Sequence, residues 1–360
     1  MFSTLIYTSW EGEHCNGHLA RLGLMDRIVL TLPGDISSVA LTGPNDSYIR
    51  ALENAFPDIA ITVRGNEVIV RGSSEGTERV KNLMQNFLTV VRSGQSLSDD
   101  AVRRSIAMIQ GGNESPAEVL TLNILSNRGK TIRPKTANQK RYVDAIDKHT
   151  VTFGIGPAGT GKTYLAMAKA VQALQSKQIN RIILTRPAVE AGERLGFLPG
   201  TLHEKIDPYL RPLFDALHDM LDPEAIPRLM SSGTIEVAPL AYMRGRTLND
   251  SFIILDEAQN TSPEQMKMFL TRLGFGSKMV VTGDITQIDL PTHQESGLSI
   301  VRDILEGISD ISFMDLNSED VVRHRLVSEI VDAYGKFDSL SDGGHAGRRI
   351  NKPRSLRSDR

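Results

Sequence analysis

The sequence has very little cysteine, few aromatic residues and no long apolar run. Its single cysteine, Cys15, excludes an intramolecular disulfide and is typical of a reducing compartment. Aromatic residues make up only 5% of the chain, so any surface that stacks bases is expected to be small. No apolar stretch is long enough to span a bilayer, and the first residues lack the basic segment of a signal peptide. We therefore expect a cytoplasmic protein without a membrane span.

The chain also lacks an excess of charge of either sign. It has 41 basic and 43 acidic residues and a formal net charge of -2, so a nucleic-acid surface would have to be a local patch. Hydrophobic residues form 40% of the 360 positions, which is enough for a globular core. The length favours two domains over one.

Composition and periodicity divide the chain into five parts. We predict an N-terminal extension (1–24), a small α+β module (25–93), a linker (94–133), a main domain (134–340) and a basic disordered tail (341–360). Met25, directly before the first regular strand, is an alternative start to Met1. In the small module, alternation and helical spacing predict the order β-α-β-β-α.

The main domain contains apolar runs that read as buried strands. These runs are Val151–Ile155, Arg181–Thr185, Ile235–Ala238, Phe252–Leu255, Met279–Thr282 and Ile311–Phe313. Helical segments separate most of them, and strands that are apolar on both faces are typical of parallel sheets covered by helices. The sequence therefore predicts a three-layer α/β fold with a parallel sheet.

A complete phosphate-binding loop lies between a predicted strand and a predicted helix. It reads Gly156-Pro157-Ala158-Gly159-Thr160-Gly161-Lys162-Thr163, which has the form G-x-x-x-x-G-K-T. Its glycines allow backbone N–H groups to approach phosphate oxygens closely. Lys162 is predicted to reach the β- and γ-phosphates, and the hydroxyl of Thr163 to bind Mg²⁺. The loop predicts a nucleotide site.

Polar residues follow two further predicted strands. Asp256 and Glu257 come directly after one strand, at the sheet edge where ligands bind in open α/β folds. Asp256 is predicted to hold Mg²⁺, and Glu257 to polarise the attacking water. After the next strand, Asp284 is a candidate to contact Mg²⁺ or to orient Gln287. Gln287 is a candidate to hydrogen-bond the γ-phosphate or the attacking water. An ordinary Gly-Asp turn is the alternative for this last motif.

The order of these motifs resembles motifs I, II and III of superfamily 1 helicases, and the chain is most similar to the PhoH-like ATPases. Two segments, residues 186–200 (RPAVEAGERLGFLPG) and 242–247 (YMRGRT), are similar to that family specifically. The resemblance covers about 27 to 340 and implies a RecA-like, ATP-binding domain with a role in RNA metabolism. It also implies RNA, an endoribonuclease and ribosome-associated factors as partners in rRNA processing.

The resemblance gives roles to three residues outside these motifs. Gln139 stands where superfamily 1 proteins place a glutamine that reads the adenine edge, which a planar amide can pair with. A glutamine on a helix surface is the alternative. Arg323 and Arg325 resemble the arginine-finger region, where a guanidinium stabilises charge on the transferred phosphoryl group. Salt bridges to nearby acids are the alternative for this pair.

The small module resembles the RNA-binding KH fold. Gly43-Pro44-Asn45-Asp46 lies near the expected place of the Gly-x-x-Gly loop that approaches the nucleic-acid backbone. Asp46 replaces the second glycine and adds a negative charge. RNA binding and a purely structural or oligomerisation role are therefore both open for this module.

The chain is too short for a second RecA-like domain after Gly283-Asp284. Superfamily 1 helicases bind ATP between two such domains, and the residues left before the tail fall well short of the ~100 that one would need. We therefore predict a homo-oligomer, for example a ring, in which a neighbouring subunit supplies Arg323 or Arg325.

Three functions fit these motifs. The first is an RNA-linked ATPase in which hydrolysis changes the grip on RNA or on an RNA-processing partner. The second is a nucleotide-dependent switch or scaffold that binds ATP and hydrolyses little. The third, a small-molecule phosphotransferase, fits less well, because Asp-Glu followed by Gly-Asp-x-x-Gln suits activation of water better than positioning of an acceptor.

Overall fold

The computed structural model describes residues 26–112, 115–127, 130–187, 202–291, 293–322, 326–327, 330 and 333–334. The predicted N-terminal extension and basic tail lie outside these residues. The described chain forms an N-terminal α+β module and a larger α/β domain. Within it, no helix combines the length and the apolar content needed to cross a membrane.

The N-terminal module is built on a small antiparallel sheet. Its elements are β1 (Asp26–Thr31), α1 (Ser38–Thr42), α2 (Ser47–Ala55), β2 (Ile59–Arg64), β3 (Glu67–Gly72) and α3 (Ser74–Arg92). The strands lie in the order β1-β3-β2. The predicted β-α-β-β-α order is present with one additional helix, α1. With only five residues, α1 is too short to show helical periodicity in the sequence.

The additional helix places the loop Gly43–Asp46 between two helices. Asn45 and Asp46 both adopt left-handed backbone conformations, with φ of 51° and 58°. A loop between helices is also where KH modules contact the nucleic-acid backbone. The KH resemblance and RNA binding by this module stay predictions, because Asp46 still brings a negative charge to the loop.

The segment predicted as a linker is folded and is divided between the two modules. It contains α4 (Asp99–Gln110), α5 (Pro116–Thr121) and the hairpin of β4 (Leu125–Asn127) and β5 (Lys130–Ile132). Val102, Ile106 and Leu120 are buried in the core of the N-terminal module. Leu125 and Ile132 belong instead to the core of the α/β domain. The modules therefore meet inside this segment and are not joined by an extended tether.

Parallel strands form the sheet of the α/β domain. They are β6 (Val151–Ile155), β7 (Arg181–Arg186), β8 (Ile235–Pro239), β9 (Ser251–Leu255), β10 (Lys278–Gly283) and β11 (Ile311–Asp315). The strand order is β11-β6-β10-β9-β7-β8, and every neighbouring pair is parallel. The predicted RecA-like parallel sheet is confirmed, with each predicted strand present to within a residue or two at its ends.

Helices cover both faces of this sheet. They are α6 (Ala137–Lys148), α7 (Lys162–Gln175), α8 (Leu202–Met220), α9 (Ala225–Ser231), α10 (Pro263–Leu270) and α11 (Gly297–Leu305). In β9, Phe252 packs into the core formed with α6 to α9, whereas Ile253 packs into the core with α10 and α11. Burial on both faces explains why these strands read as continuous apolar runs.

Candidate nucleotide-binding site

The phosphate loop connects the end of β6 to the start of α7. Its glycines have positive φ, namely 154° at Gly156, 85° at Gly159 and 79° at Gly161. A Cβ on Gly156 would clash with the carbonyl oxygen of Leu316. Helix α7 begins at Lys162, so the N–H groups of its first turn, which lack intrahelical partners, are available to an anion. The backbone thus has the form predicted for a phosphate-binding loop.

Lys162 lies inside this loop. Its ammonium group donates to the carbonyl oxygens of Gly156 at 2.5 Å and Pro157 at 2.8 Å. Burial lowers the pKa of Lys162 below the usual lysine value, while the nearby carboxylates of Asp284 and Asp256 act in the opposite direction. A phosphate anion would replace these carbonyl contacts with a charge-assisted one.

Asp256 joins the phosphate loop to two strands. It follows β9 and is only 8% exposed. The hydroxyl of Thr163 donates to its carboxylate at 2.6 Å, and the hydroxyl of Thr282 in β10 donates to the same oxygen at 2.9 Å. No local motif in the sequence indicates a role for Thr282, since its contact depends on β9 and β10 being neighbours.

These oxygen ligands fit Mg²⁺. Hydroxyl and carboxylate oxygens are hard ligands, and Mg²⁺ usually binds one or two such groups together with phosphates and water. In the described part of the chain, no group of three or more His, Cys, Asp and Glu side chains forms a metal site. Thr163 and Asp256 are therefore suited to a magnesium ion that arrives with a nucleotide.

Glu257 has an unusual backbone conformation, and two side chains contact its carboxylate. Its φ of 52° lies in the left-handed region, which is uncommon for a residue with a Cβ. Arg186, at the end of β7, forms an ion pair with its carboxylate at 3.2 Å. The amide of Gln259 donates to the same carboxylate at 2.5 Å. The Gln259 carbonyl oxygen accepts from the N–H of Asp284 at 3.0 Å, so Gln259 links the two acidic motifs.

Asp284 organises the turn after β10. It accepts from the N–H of Thr286 at 2.9 Å, from the Thr286 hydroxyl at 2.6 Å and from the amide of Gln287 at 2.8 Å. Burial raises the pKa of Asp284, but the hydrogen bonds from Thr286 and the charge of Lys162 outweigh it and bring the pKa below the usual value. Asp284 is thus a charged group that orients Gln287.

One cavity is lined by most of the residues predicted to act on the nucleotide. It has a volume of about 320 Å³ and is lined by Lys162, Thr163, Asp256, Glu257, Asp284 and Gln287. The opposite wall comes from α8, through Pro212, Leu213 and Ala216. No local pattern in the sequence predicts α8 at this position. We call this space the carboxylate cavity.

Gln139 supports the phosphate loop from behind. It is 3% exposed, so the alternative of a glutamine on the helix surface is wrong. Its carbonyl oxygen accepts from the N–H of Lys135 at 2.7 Å, and its amide donates to the carbonyl oxygens of Thr160 at 3.0 Å and Asp320 at 3.3 Å. An adenine would have to displace these partners, so adenine recognition by Gln139 stays a prediction.

The two candidate arginine fingers, Arg323 and Arg325, lie outside the described residues, as do positions 188–200 of the predicted family segment. Val322, which precedes Arg323, donates its N–H to the carbonyl oxygen of Gly159 at 2.9 Å. The chain therefore enters the predicted finger region directly beside the phosphate loop.

The second family segment, Tyr242–Thr247, contains a structural arginine. Both terminal nitrogens of Arg246 donate to the carboxylate of Glu236, at 2.6 and 2.7 Å. The hydrogen bonds from Arg246 hold the pKa of Glu236 below its usual value. Arg246 thus ties this segment to β8 and is not among the residues lining the carboxylate cavity.

Comparisons with known proteins agree with this geometry. A family described as "PhoH-like protein" matches residues 131–335. A PhoH-like protein of Mycobacterium tuberculosis (strain ATCC 25618 / H37Rv) is 65% identical over 333 residues, covering 92% of this chain and 94% of the relative. A PhoH-like protein of Bacillus subtilis (strain 168) is 52% identical over 301 residues, covering 83% of this chain and 94% of the relative. The solved Pif1 helicase of Candida albicans matches 61% of this chain and 49% of its own, with 13% identity and a TM-score of 0.30, a likeness too slight to indicate a function.

Proposed function

Because the chain belongs to the PhoH-like protein family, we propose that it is an ATPase that binds ATP with Mg²⁺ and uses hydrolysis in RNA metabolism. The observation that carries the ATPase proposal is the shared carboxylate of Asp256, which meets Thr163 of the phosphate loop and stands next to Glu257 in one cavity. A phosphate loop, a metal-binding carboxylate and a second carboxylate for water are the parts that hydrolysis of a nucleoside triphosphate requires.

Binding begins at the phosphate loop. The N–H groups of the loop and of the first turn of α7 surround the phosphates, and Lys162 leaves its carbonyl partners to contact the β- and γ-phosphates. Thr163 and Asp256 would hold Mg²⁺, and the ion when bound would neutralise charge that develops on the phosphate oxygens. The hydroxyl of Thr282 keeps the Asp256 carboxylate in place.

Hydrolysis needs a water molecule in line with the γ-phosphate. Glu257 accepts a proton from this water as the water oxygen bonds to phosphorus, and the bond to the ADP oxygen breaks. Gln259 orients the Glu257 carboxylate from one side. The amide of Gln287, held by Asp284, is a hydrogen-bond donor for the water or the γ-phosphate. The products are ADP and inorganic phosphate.

The RNA-linked part of the proposal is supported by the resemblance to superfamily 1 helicases. RNA is the proposed macromolecular partner, with an endoribonuclease and ribosome-associated factors as further partners in the cytoplasm. The loop Gly43–Asp46 of the N-terminal module, between two helices, is one candidate contact for RNA.

A switch or scaffold with little hydrolysis is the second candidate. It is favoured by the ion pair between Arg186 and Glu257 at 3.2 Å, because the guanidinium occupies a carboxylate oxygen to which the attacking water would have to hydrogen-bond. In that case ATP binding alone would set the state of the protein, and a partner would have to break the ion pair before hydrolysis.

The test is the rate of ATP hydrolysis with and without single-stranded RNA, beside the affinity for ATP. We expect RNA to raise the rate of the unmodified protein. Glu257→Gln should lower the rate about 100-fold or more while ATP still binds, and the exposed control Glu295→Gln should change neither. A slow rate of ATP hydrolysis that RNA does not change would favour the switch or scaffold. Absence of ATP binding would exclude both candidate functions.

A further inference from the structure

A second and larger cleft adjoins the phosphate loop. It has a volume of about 1100 Å³ and lies between the N-terminal module and the α/β domain. Gly159, Gly161 and Tyr164 line both this space and the carboxylate cavity. The two spaces therefore adjoin the same part of the phosphate loop. We call the larger space the intermodule cleft.

Both modules supply walls of the intermodule cleft. From the N-terminal side it is lined by Ser96 and Ser98, between α3 and α4, and by Arg104 in α4. The strand β5 and Lys135 line it from the other side, together with the start of α7. A guanidinium nitrogen of Arg104 lies 3.5 Å from the carbonyl oxygen of Val321, so the two modules are in contact at the rim.

The strand order determines which part of a nucleotide would face each space. Asp256 and Asp284 follow β9 and β10, which lie on one side of the central strand β6. The intermodule cleft lies on the other side, where Val322, after β11, is bonded to the phosphate loop. Since Mg²⁺ and the γ-phosphate belong with the carboxylates, the ribose and base must point towards the cleft.

The chemistry of the cleft suits a nucleoside. Lys130, Arg133 and Lys135 line it, as does the ring of Tyr164, which is 37% exposed. A base has flat faces that stack on aromatic rings and guanidinium groups, and ribose hydroxyls accept hydrogen bonds from cationic side chains. Arg104 is already oriented, because its guanidinium pairs with Asp100 at 2.9 Å and its side chain is only 16% exposed.

We propose that the nucleoside half of ATP binds in the intermodule cleft, so that the N-terminal module forms one wall of the nucleotide site. The proposal rests on the ATP-binding function above, because the phosphates must first occupy the phosphate loop. Bound ATP then contacts both modules at once. The α3–α4 segment is covered when ATP is bound and open when it is absent.

The first test distinguishes the contribution of the nucleoside to binding from that of the phosphates. Titration calorimetry with Mg²⁺ compares ATP with inorganic tripolyphosphate, which has the phosphates and no nucleoside. Arg104→Ala should weaken ATP binding at least fivefold and leave tripolyphosphate binding unchanged. The control is Arg103→Ala, on the same helix: its side chain is 60% exposed, it lies near the same Asp100 at 3.9 Å, and it does not line the cleft. This control should change neither affinity.

The second test does not depend on Arg104. In a Cys15→Ser background, Ser96→Cys places a single thiol at the cleft, and its rate of maleimide labelling is measured. ATP with Mg²⁺ should slow labelling several-fold, whereas tripolyphosphate should not. The control is Ser74→Cys, exposed at the opposite end of α3, a helix about 28 Å long. Neither ligand should change the labelling rate of this thiol.

The outcomes distinguish this proposal from the function on which it rests. The cleft proposal is overturned if Arg104→Ala changes the affinities for ATP and tripolyphosphate equally and both ligands have the same effect on labelling of the Ser96→Cys thiol. If Lys162→Ala still abolishes ATP binding in that case, the ATP site itself stands. If the unmodified protein binds neither ligand, both fall. Should Arg104→Ala fail to fold, the thiol measurement decides alone.

Discussion

At the scale of single residues, Gln259 shows how the site is assembled. Its amide holds Glu257, and its carbonyl oxygen holds the N–H of Asp284, so one buried side chain fixes two motifs that are far apart in sequence. A Cβ on Gly283 would clash with this carbonyl oxygen. The absence of a side chain at position 283 therefore makes room for Gln259.

Replacing Gln259 by glutamate should slow hydrolysis without weakening nucleotide binding. The new carboxylate would repel Glu257 and remove its hydrogen-bond donor, so we expect kcat to fall about tenfold or more, or about 1.4 kcal/mol in activation free energy. KM for ATP should change little, because Gln259 is not among the residues lining the carboxylate cavity. The measurement is steady-state ATPase kinetics.

Gln265→Glu is the matched control for this substitution. Gln265 is exposed, and its carbonyl oxygen accepts from the N–H of Ser262 at the start of α10, a bond that glutamate can also accept. An equal loss of kcat in both variants would contradict a positioning role for Gln259.

The affinity for ATP should fall as the pH rises through the alkaline range in which Lys162 loses its proton. Burial lowers the pKa of Lys162 below 10.5, so the ammonium loses its proton at a lower pH than an exposed lysine does. Phosphates bind the charged form, hence ATP binding takes up protons as the pH approaches this lowered pKa. Calorimetry at pH 7 and at pH 9.5 in buffers of different ionisation enthalpy measures this uptake. Equal affinity and no uptake at both values would contradict the prediction.

At this scale the sequence predicted the residues that belong to local motifs. Lys162, Thr163, Asp256 and Glu257 stand in contiguous patterns, and the structure brings them to one cavity. The partner of Glu257, Arg186, and the second hydroxyl on Asp256 depend on which strands become neighbours. That order is a property of the folded sheet, and no local spacing in the sequence carries it.

At the scale of elements, β6 and α6 pack unusually closely. Gly154 lies in the middle of β6, and a Cβ there would lie 2.7 Å from the ring of Tyr142. Tyr142 is completely buried, and its hydroxyl donates to the carbonyl oxygen of Lys162 at 3.2 Å. The glycine in this strand therefore allows an aromatic ring of α6 to reach the start of α7.

Substitution of Gly154 by alanine should destabilise the α/β domain. A methyl group would overpack the contact with Tyr142, which costs about 1–3 kcal/mol in the free energy of unfolding. Gly34→Ala is the control, because nothing lies within 4 Å of its Cβ position. Urea unfolding of both variants tests this, and an equal stability for the two would contradict the expected close contact.

Long elements were predictable from the sequence, whereas short ones were not. Strands buried on both faces appear as apolar runs, and α3 shows clear helical spacing. By contrast α1, α5 and the strands β4 and β5 each have six residues or fewer, too few for a period to emerge. Their positions depend on packing against the two cores. The longer α4 in the same segment, 94–133, does agree with a helix that the sequence indicates at residues 99–109.

At the scale of the whole molecule, the described chain contains one RecA-like sheet. Its last strand, β11, ends at Asp315. The N-terminal module stands beside the phosphate loop at the intermodule cleft. Helix α8 forms the other wall of the carboxylate cavity. We still predict that a neighbouring subunit supplies an arginine to this cavity.

We expect ATP hydrolysis to require an oligomer. Light scattering coupled to size exclusion should give a mass of several subunits in the presence of ATP and Mg²⁺. A mixture of two weak variants, Glu257→Gln and the double variant Arg323→Ala with Arg325→Ala, should regain activity, because some interfaces then combine an intact Glu257 with intact arginines. A fully active monomer, or a mixture that gains nothing, would contradict the prediction.

The bonds around the phosphate loop also have a mechanical consequence. Gly159 is bonded to Val322, and Thr160 is joined through Gln139 to Asp320. A displacement of the loop would therefore act on the residues just before Arg323 through these hydrogen bonds. A molecule that binds the chain after Val322 would respond to the conformation of the phosphate loop without contacting a nucleotide. Conversely, force applied to the chain there would deform the loop.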